Sequence, residues 1–494
     1  MAVKKQQVTD IFVYKWRYFF GYIVLVLLYI GAVVTSALYA PGGLTQSEID
    51  TIKTTNDLSF SIDGLAIANL PFHALQLVFF KLFGVSLLTI KAPAILLSII
   101  SSIAIFFLLK RWFKPSVAIL SMLIMITTAQ FLFIGQSATP AILYVFYAAL
   151  ILLFATLTLQ KAKITWLWRI LLAITAAVSL LTPYFWYINL GLLFVALLHP
   201  HPRYYLISRK YRRRWLIPFL LFCLATGAVA YLCLKSDTLR SSLLGFGALN
   251  FNIVSNLKVL FYSYLRIEPS VVDGQITPIM DFSALILIFL GLAKSFQNRA
   301  SARSSMIWSW LFLALILIIF DPQLTAIIVV PLFILLAVGI ETLMNEWYKL
   351  FPKNPYARGT GLVFISALII VMVLGGSFRY VDGYQHYPLA AREFNSDLSL
   401  LKKKLSADKE AALLVSEAEL PIYKALIKHN AKNLHIVDSI PSGMHQPLYI
   451  SRAARQNAPK ASLKNLYLSS ILVNSWSENG DRLKAGNGKN RRLE

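Results

Sequence analysis

The fold class predicted by this 494-residue sequence is a polytopic α-helical membrane protein of about eleven spanning helices with a small C-terminal α/β soluble domain. Three observations predict it. Hydrophobic residues make up 57% of the chain and charged residues 14%, with a mean hydropathy of +0.64. A soluble domain carries about 25% charged residues, so this chain has too little polar surface to cover itself in water. Eleven apolar runs are long enough, or nearly so, to cross a bilayer. The lysines and arginines fall mainly in short segments between those runs and near the C-terminal end, where the positive-inside rule and anionic headgroups favour them.

The first run, 18–40, follows Lys4, Lys5, Lys15 and Arg17. Small residues at Thr35 to Ala37 imitate a signal-peptidase site, but the run exceeds a usual signal core. It is therefore read as an uncleaved first helix with a cytoplasmic N-terminus. Later runs occupy 86–109, 116–134, 140–159, 164–181, 184–199, 215–234, 277–295, 305–320, 324–343 and 359–377. Basic clusters at Lys110–Lys114, Lys161/Lys163, 200–214, Lys294–Arg303 and Lys349–Arg358 share one face only if 69–83 does not cross. That segment (Asn69, Pro71, His73, Gln76, Lys81) is accordingly assigned to the interface or to a re-entrant helix.

This parity gives a multi-pass protein of the cell membrane with loops 41–69 and 235–276 and the C-terminal domain outside. Residues 1–377 form the expected transmembrane domain and 378–474 the extracytoplasmic α/β domain. Residues 475–494 are a Gly/Asn/Lys-rich basic tail, expected to be disordered. Within the second unit, Ala411–Val415, Leu420–His429 and Leu434–Val437 read as strand, helix and strand. Leu448–Ile450 and Leu466–Val473 are further strand candidates. Trp16, Tyr39, Trp112, Trp166, Trp186, Trp215, Trp347 and Tyr380 lie at run ends, as an interfacial aromatic belt requires.

The formal charge of +24 is explained by topology, so nucleic acid is not an expected partner. Cys223 and Cys233 have neither redox nor metal-ligand spacing and are expected to pack as small hydrophobes. No metal site is assigned, and Asp321 is expected to cap a turn or face a cavity. The spans lack the paired carboxylates of a proton-coupled pump, and no inverted repeat supports a transporter. Polar chemistry gathers instead in the first outer loop, with Glu48, Asp50, Asp57 and Asp63, and His73 just beyond. Thr45–Asn56 has the pattern of a short helix with Thr45 near its cap.

The segments GLTQSEID (43–50) and NLPFHALQLVFFKLFGVSLLTIKAPAILLSII (69–100) resemble the start of the GT-C integral-membrane glycosyltransferases. The likeness is to those of protein-mannosyltransferase and aminoarabinose-transferase type. GQSATPAILYVFYAALILL (135–153), AITAAVSLLTPYFWYINLGLLF (173–194) and DPQLTAIIVVPLFILLAVGIETL (321–343) resemble later family segments in the same order. The likeness extends over about residues 17–395.

The resemblance implies a GT-C-like bundle and transfer of a sugar from a polyprenyl-phosphate donor to an outer-face glycan, lipid or protein acceptor. It also implies a first-loop aspartate as general base or acceptor-positioning group, with a divalent metal or basic residues holding the lipid phosphate. Two positions depart from the family pattern. Ser47 stands at the aspartate position with Glu48 on the family glutamate, and Ala141 replaces a second acidic residue. A serine hydroxyl is a poor base at neutral pH. The catalytic candidates are therefore Ser47, Glu48 and Asp50, the two carboxylates lying within one turn of the serine. His73, Lys258, Arg266 and Arg379 are the candidates for substrate or lipid-phosphate contact, against a plainer role as interfacial or headgroup-contacting side chains. The alternative is a catalytically degenerate relative that acts as a lipid-binding or envelope scaffold.

Overall fold

The structure, a computed structural model, describes residues 12–476 apart from 60, 209–212, 247–248, 266–269, 273, 396, 399–410, 430–433, 438–447, 452–453, 455–462 and 469–470. Among the described residues, seven helices are long and apolar enough to cross a membrane: α1 (Phe12–Tyr39), α4 (Leu87–Trp112), α7 (Ile142–Leu159), α10 (Leu216–Lys235), α13 (Ala302–Phe320), α14 (Val329–Leu350) and α15 (Pro355–His386). α5 (Pro115–Thr127) and α6 (Ala129–Gln136) make an eighth if counted as one span. The continuous run expected over 116–134 is thus broken, bending by 64° at Thr128. The Thr128 hydroxyl turns back to the Met125 carbonyl at this break.

α3 (Leu70–Phe83), α8 (Thr165–Ser179), α9 (Phe185–Leu198) and α12 (Phe282–Gln297) are apolar but have only 14, 15, 14 and 16 residues. At about 1.5 Å per residue they reach about 21–24 Å, less than a hydrocarbon core of about 30 Å. Length and composition therefore give seven or eight spans. The remaining three of the eleven predicted runs coincide with α8, α9 and α12.

The bundle is organised around α14, 83% of whose spanning window is buried, whereas α10 at 11% lies on the periphery. Cys223 on α10 is exposed and so lies outside the core expected of it, whereas Cys233 is half-buried and packs against an apolar cluster of Leu180, Val229, Leu239 and Leu243. α12 crosses α14 at backbone contact. A Cβ on Gly291 would sit 1.9 Å from the Leu335 carbonyl oxygen, and one on Gly339 would sit 2.0 Å from that of Leu287. Small residues permit such approaches, and dispersion contacts then hold the helices together without a hydrophobic driving force. Gly339→Val is expected to force the helices apart and cost about 1–3 kcal/mol or more. The check is the thermal midpoint of the detergent-purified protein, and a midpoint equal to wild type would refute the assignment.

The first loop is ordered by α2 (Gln46–Asn56), capped by Thr45 as the sequence suggests. α15 continues to His386, nine residues past the boundary expected at 377. Two short antiparallel strands, β1 (Ser270–Val272) and β2 (Gln275–Thr277), precede α12, and beyond α15 lies a five-stranded sheet: β3 (Ala411–Leu414), β4 (Leu434–Val437), β5 (Leu448–Ile450), β6 (Leu463–Leu468) and β7 (Ile471–Trp476), in the order β4-β3-β5-β7-β6. β3 is parallel to β4 and β5, with α16 (Leu420–His429) between β3 and β4, while β7 runs antiparallel to β5 and β6. β7 extends through Ser475 and Trp476, the first two residues of the expected tail, and 477–494 lie outside the described residues.

α2 lies between the bundle and this sheet unit. Ile49 and Ile52 share one core with Phe80, Val85 and Ile90 on one side and with Leu413, Ile422, Tyr423 and Leu426 on the other. A bridge between Leu44 and Asn395 and a hydrogen bond from Asn56 Nδ2 to the Pro421 carbonyl (3.0 Å) tie the loop down.

Candidate functional site in the first loop

The sequence Thr45-x-x-Glu48 closes a capping box. The Thr45 hydroxyl accepts from the Glu48 amide (3.3 Å) and Glu48 Oε2 accepts from the Thr45 amide (2.7 Å). That geometry turns Glu48 inward. The residue is completely buried, its Oε1 accepts from the Ala138 amide (2.6 Å), and Lys91 Nζ stands 3.8 Å away. The Lys91 ammonium, equally buried in the second turn of α4, also donates to Gln136 Oε1 at 2.6 Å. Glu48 is therefore not a solvated side chain of an amphipathic loop. It joins the first loop, α4 and the turn after α6 through one ion pair and three backbone or side-chain donors.

The opposite face of α2 carries Gln46, Ser47, Asp50 and Lys53, all exposed. Ser47 and Asp50 are three apart and share that face. The Asp50 carboxylate holds one hydrogen bond, from Gln46 Nε2 at 3.2 Å, and otherwise faces outward. The two carboxylates that the sequence leaves equivalent are thus placed oppositely, Glu48 inside and Asp50 outside. Ala141, at the start of α7, lies three residues beyond the Ala138 amide that holds Glu48.

His73 is 4% exposed and packs between α3 and α2, not at an open interface. Its Nδ1 lies 2.9 Å from the Thr55 hydroxyl, which is 2.5 Å from Gln76 Oε1, and Gln76 Nε2 donates to the Ile90 carbonyl at 3.0 Å. Burial lowers the imidazole pKa from 6.5 to about 4. The unfolded chain then binds more protons than the folded one between pH 6.5 and 4. The contribution is complete above pH 6.5 and falls as pH drops toward 4, by about 3 kcal/mol at most. His73→Gln should flatten the dependence of the unfolding midpoint across that window. A variant as pH-sensitive as wild type would refute this role.

Lys258 and Arg379 lie on other helices. Lys258 is exposed on α11 (Ile253–Leu265), an amphipathic helix that also exposes Val254, Leu257 and Phe261. Arg379 lies within α15 and is already engaged, with Nη1 3.2 Å from Asp281 Oδ1 and Nη2 donating to the Pro278 carbonyl at 2.6 Å. Arg266 lies outside the described residues. Asp321 caps its turn, its Oδ1 accepting from the Gln323 amide (3.2 Å) and its Oδ2 from the Tyr184 hydroxyl (3.0 Å). Among the described residues no three of His, Cys, Asp and Glu converge as a metal would require, and Glu48 has its oxygens committed to protein donors.

Lys91 and Gln136 are the residues that sequence reasoning passed over. The available signal was a lysine inside a spanning run, TIKAPAIL, since an ionisable group there needs a partner.

Residues 71–235 match a family profile described as dolichyl-phosphate-mannose-protein mannosyltransferase. No curated protein matches the chain. ArnT from Cupriavidus metallidurans bound to undecaprenyl phosphate aligns with a TM-score of 0.50 at 13% identity, over 92% of this chain and 98% of ArnT. Its apo form aligns with a TM-score of 0.51 at the same identity, over 93% and 98%. The Archaeoglobus fulgidus oligosaccharyltransferase tethered to an acceptor peptide aligns with a TM-score of 0.52 at 10% identity, over 85% of this chain and 64% of that longer protein. The chain therefore shares the fold of ArnT and of the Archaeoglobus fulgidus oligosaccharyltransferase.

Proposed function

We propose that the chain is a membrane glycosyltransferase that moves a sugar from a polyprenyl-phosphate donor to an acceptor on the outer face of the cell membrane. The observation that carries this reading is the placement of Ser47 and Asp50 on the open face of a helix fixed rigidly from behind. ArnT, similar over nearly its whole length, binds undecaprenyl phosphate, and the matched profile is named for a dolichyl-phosphate sugar. Both point to a lipid-phosphate carrier.

In this reading α8, α9 and α12 cross in addition to the eight longer spans, giving eleven crossings. α3 lies along the interface, the N-terminus is cytoplasmic, and the sheet unit after α15 is an extracytoplasmic domain. Asp50 takes the proton of the acceptor hydroxyl as that oxygen attacks the anomeric carbon. The bond from that carbon to the phosphate oxygen breaks, and the electron pair leaves with the polyprenyl phosphate. Ser47, one turn back on the same face, positions the acceptor by a hydrogen bond. Glu48 has a holding role: its oxygens are engaged by the Thr45 and Ala138 amides and face Lys91. Lys258, on a helix with an exposed apolar face, fits contact with a lipid phosphate. Arg379 is its basic companion, through a guanidinium shared with Asp281, and Arg266 stays a candidate from the sequence alone.

The test is transfer by purified protein from a panel of polyprenyl-phosphate sugars, read as released polyprenyl phosphate and labelled acceptor. Turnover supports the reading. Turnover appearing only in Ser47→Asp would assign the chain to the degenerate class instead.

A further inference from the structure

A second polar site lies at the far end of α4. Lys91 and Trp112 are separated by 21 residues of one helix, about 32 Å, so this site is remote from the first loop. A cavity of about 710 Å³ opens there between α5, α12, α13 and α14. Three segments that the sequence shows as separate basic loops converge on it, bringing Lys114, Lys294, Arg303 and Lys349 to its walls. Two carboxylates of α14 oppose them. Glu346 is already shared by Lys349 (2.7 Å) and Lys294 (3.8 Å), and Glu341 is the other. The walls therefore carry a surplus of two positive charges.

The site is also built, not merely charged. Arg303 is held in place by donation to the Trp112 carbonyl (3.1 Å) and by the Phe113 ring, 4.8 Å from its guanidinium carbon. Ser295, 3% exposed, lines the cavity with a hydroxyl that has no hydrogen-bond partner. α5 and α13 both begin at the cavity; Ser301 caps α13 by accepting from the Ser304 amide (3.1 Å), whereas the cap of α5 at Lys114 supplies no side-chain acceptor to its first-turn N–H groups. Helix N-termini of this kind favour anions.

We propose that this cavity binds a phosphate-bearing anion. Its source is either the headgroup of an anionic phospholipid or a free phosphorylated small molecule. Guanidinium and ammonium donors beside the N-terminus of α5 match phosphate oxygens, and the surplus charge matches a phosphate mono- or dianion.

The experiment uses the full chain in neutral detergent, with phosphatidylglycerol, phosphatidylcholine and inorganic phosphate as probes. Lipid retention is counted by native mass spectrometry, and phosphate binding is read as a shift in thermal midpoint. Lys114→Gln/Lys294→Gln should weaken the response about ten- to thirtyfold, two lysines being removed. The charge-matched Lys163→Gln/Lys235→Gln, on other segments, should leave it unchanged. Preferential retention of phosphatidylglycerol that the first double variant loses assigns the site to a headgroup. A phosphate-induced shift that the same variant loses, without lipid preference, assigns it to a free phosphate. Equal responses of wild type and the cavity variant to both probes, or equal losses in both double variants, would overturn the proposal.

Discussion

Lys91→Met is expected to lower the stability of the protein by about 3–5 kcal/mol, because it leaves Glu48 buried with no countercharge. The lost ammonium also strips the 2.6 Å hydrogen bond from Gln136, so a second buried acceptor goes unpaired. The penalty has a ceiling, since a carboxylate stranded in an apolar site takes up a proton instead of staying charged. A double-mutant cycle separates the pair from its surroundings. Lys91→Met combined with Glu48→Gln should be less destabilised than the sum of the single variants, because neither charge is then left alone. Thermal denaturation followed by size-exclusion chromatography measures both effects. A Lys91→Met protein that melts with wild type, or strict additivity in the cycle, would remove the pair from the architecture.

Asp50→Asn should reduce transfer by about 10²–10⁴-fold, the usual worth of a positioned general base. The folded protein should change little, because Asp50 is exposed and gives up only one hydrogen bond with Gln46. Glu48→Gln should show the reverse pattern, with a clear loss of stability and an activity loss that follows the folded fraction. Activity per folded molecule discriminates the two carboxylates. An Asp50→Asn enzyme with full specific activity, or a Glu48→Gln enzyme that folds normally and is dead, would exchange the roles assigned here.

The sequence made the helical elements legible because membrane solvation writes them in long apolar runs. It located α2 and its cap at Thr45 because a Thr followed three residues later by Glu before a semi-apolar stretch is a local signal. The division of labour between Glu48 and Asp50 was not legible. Two residues apart on a helix means nearly opposite faces, but which face is buried depends on α3, Ala138 and α16, whose positions no local pattern encodes. The Thr128 break was hidden for a related reason, since MLIMITTAQFLFIG is apolar throughout and a bend leaves hydropathy unchanged. Lys91 was visible as a letter but not as a partner, because Gln136 lies 45 residues away. Basic clusters likewise suggested a topology while concealing that three of them meet around one cavity.

The core behind α2 has a consequence for the order in which the chain can mature. Asn56 reaches Pro421 across 365 residues, and Ile49 and Ile52 share their burial with Ile422 and Tyr423. At about 5–20 residues per second, the ribosome needs about 20–70 s to make that stretch. Throughout that interval the newly made α2 has only its bundle-side contacts, and its second apolar flank awaits a segment not yet synthesised. The first loop is thus among the first parts made and among the last completed. A chain stalled or cut before Leu420 would present an unfinished α2 to the quality-control proteases of the membrane.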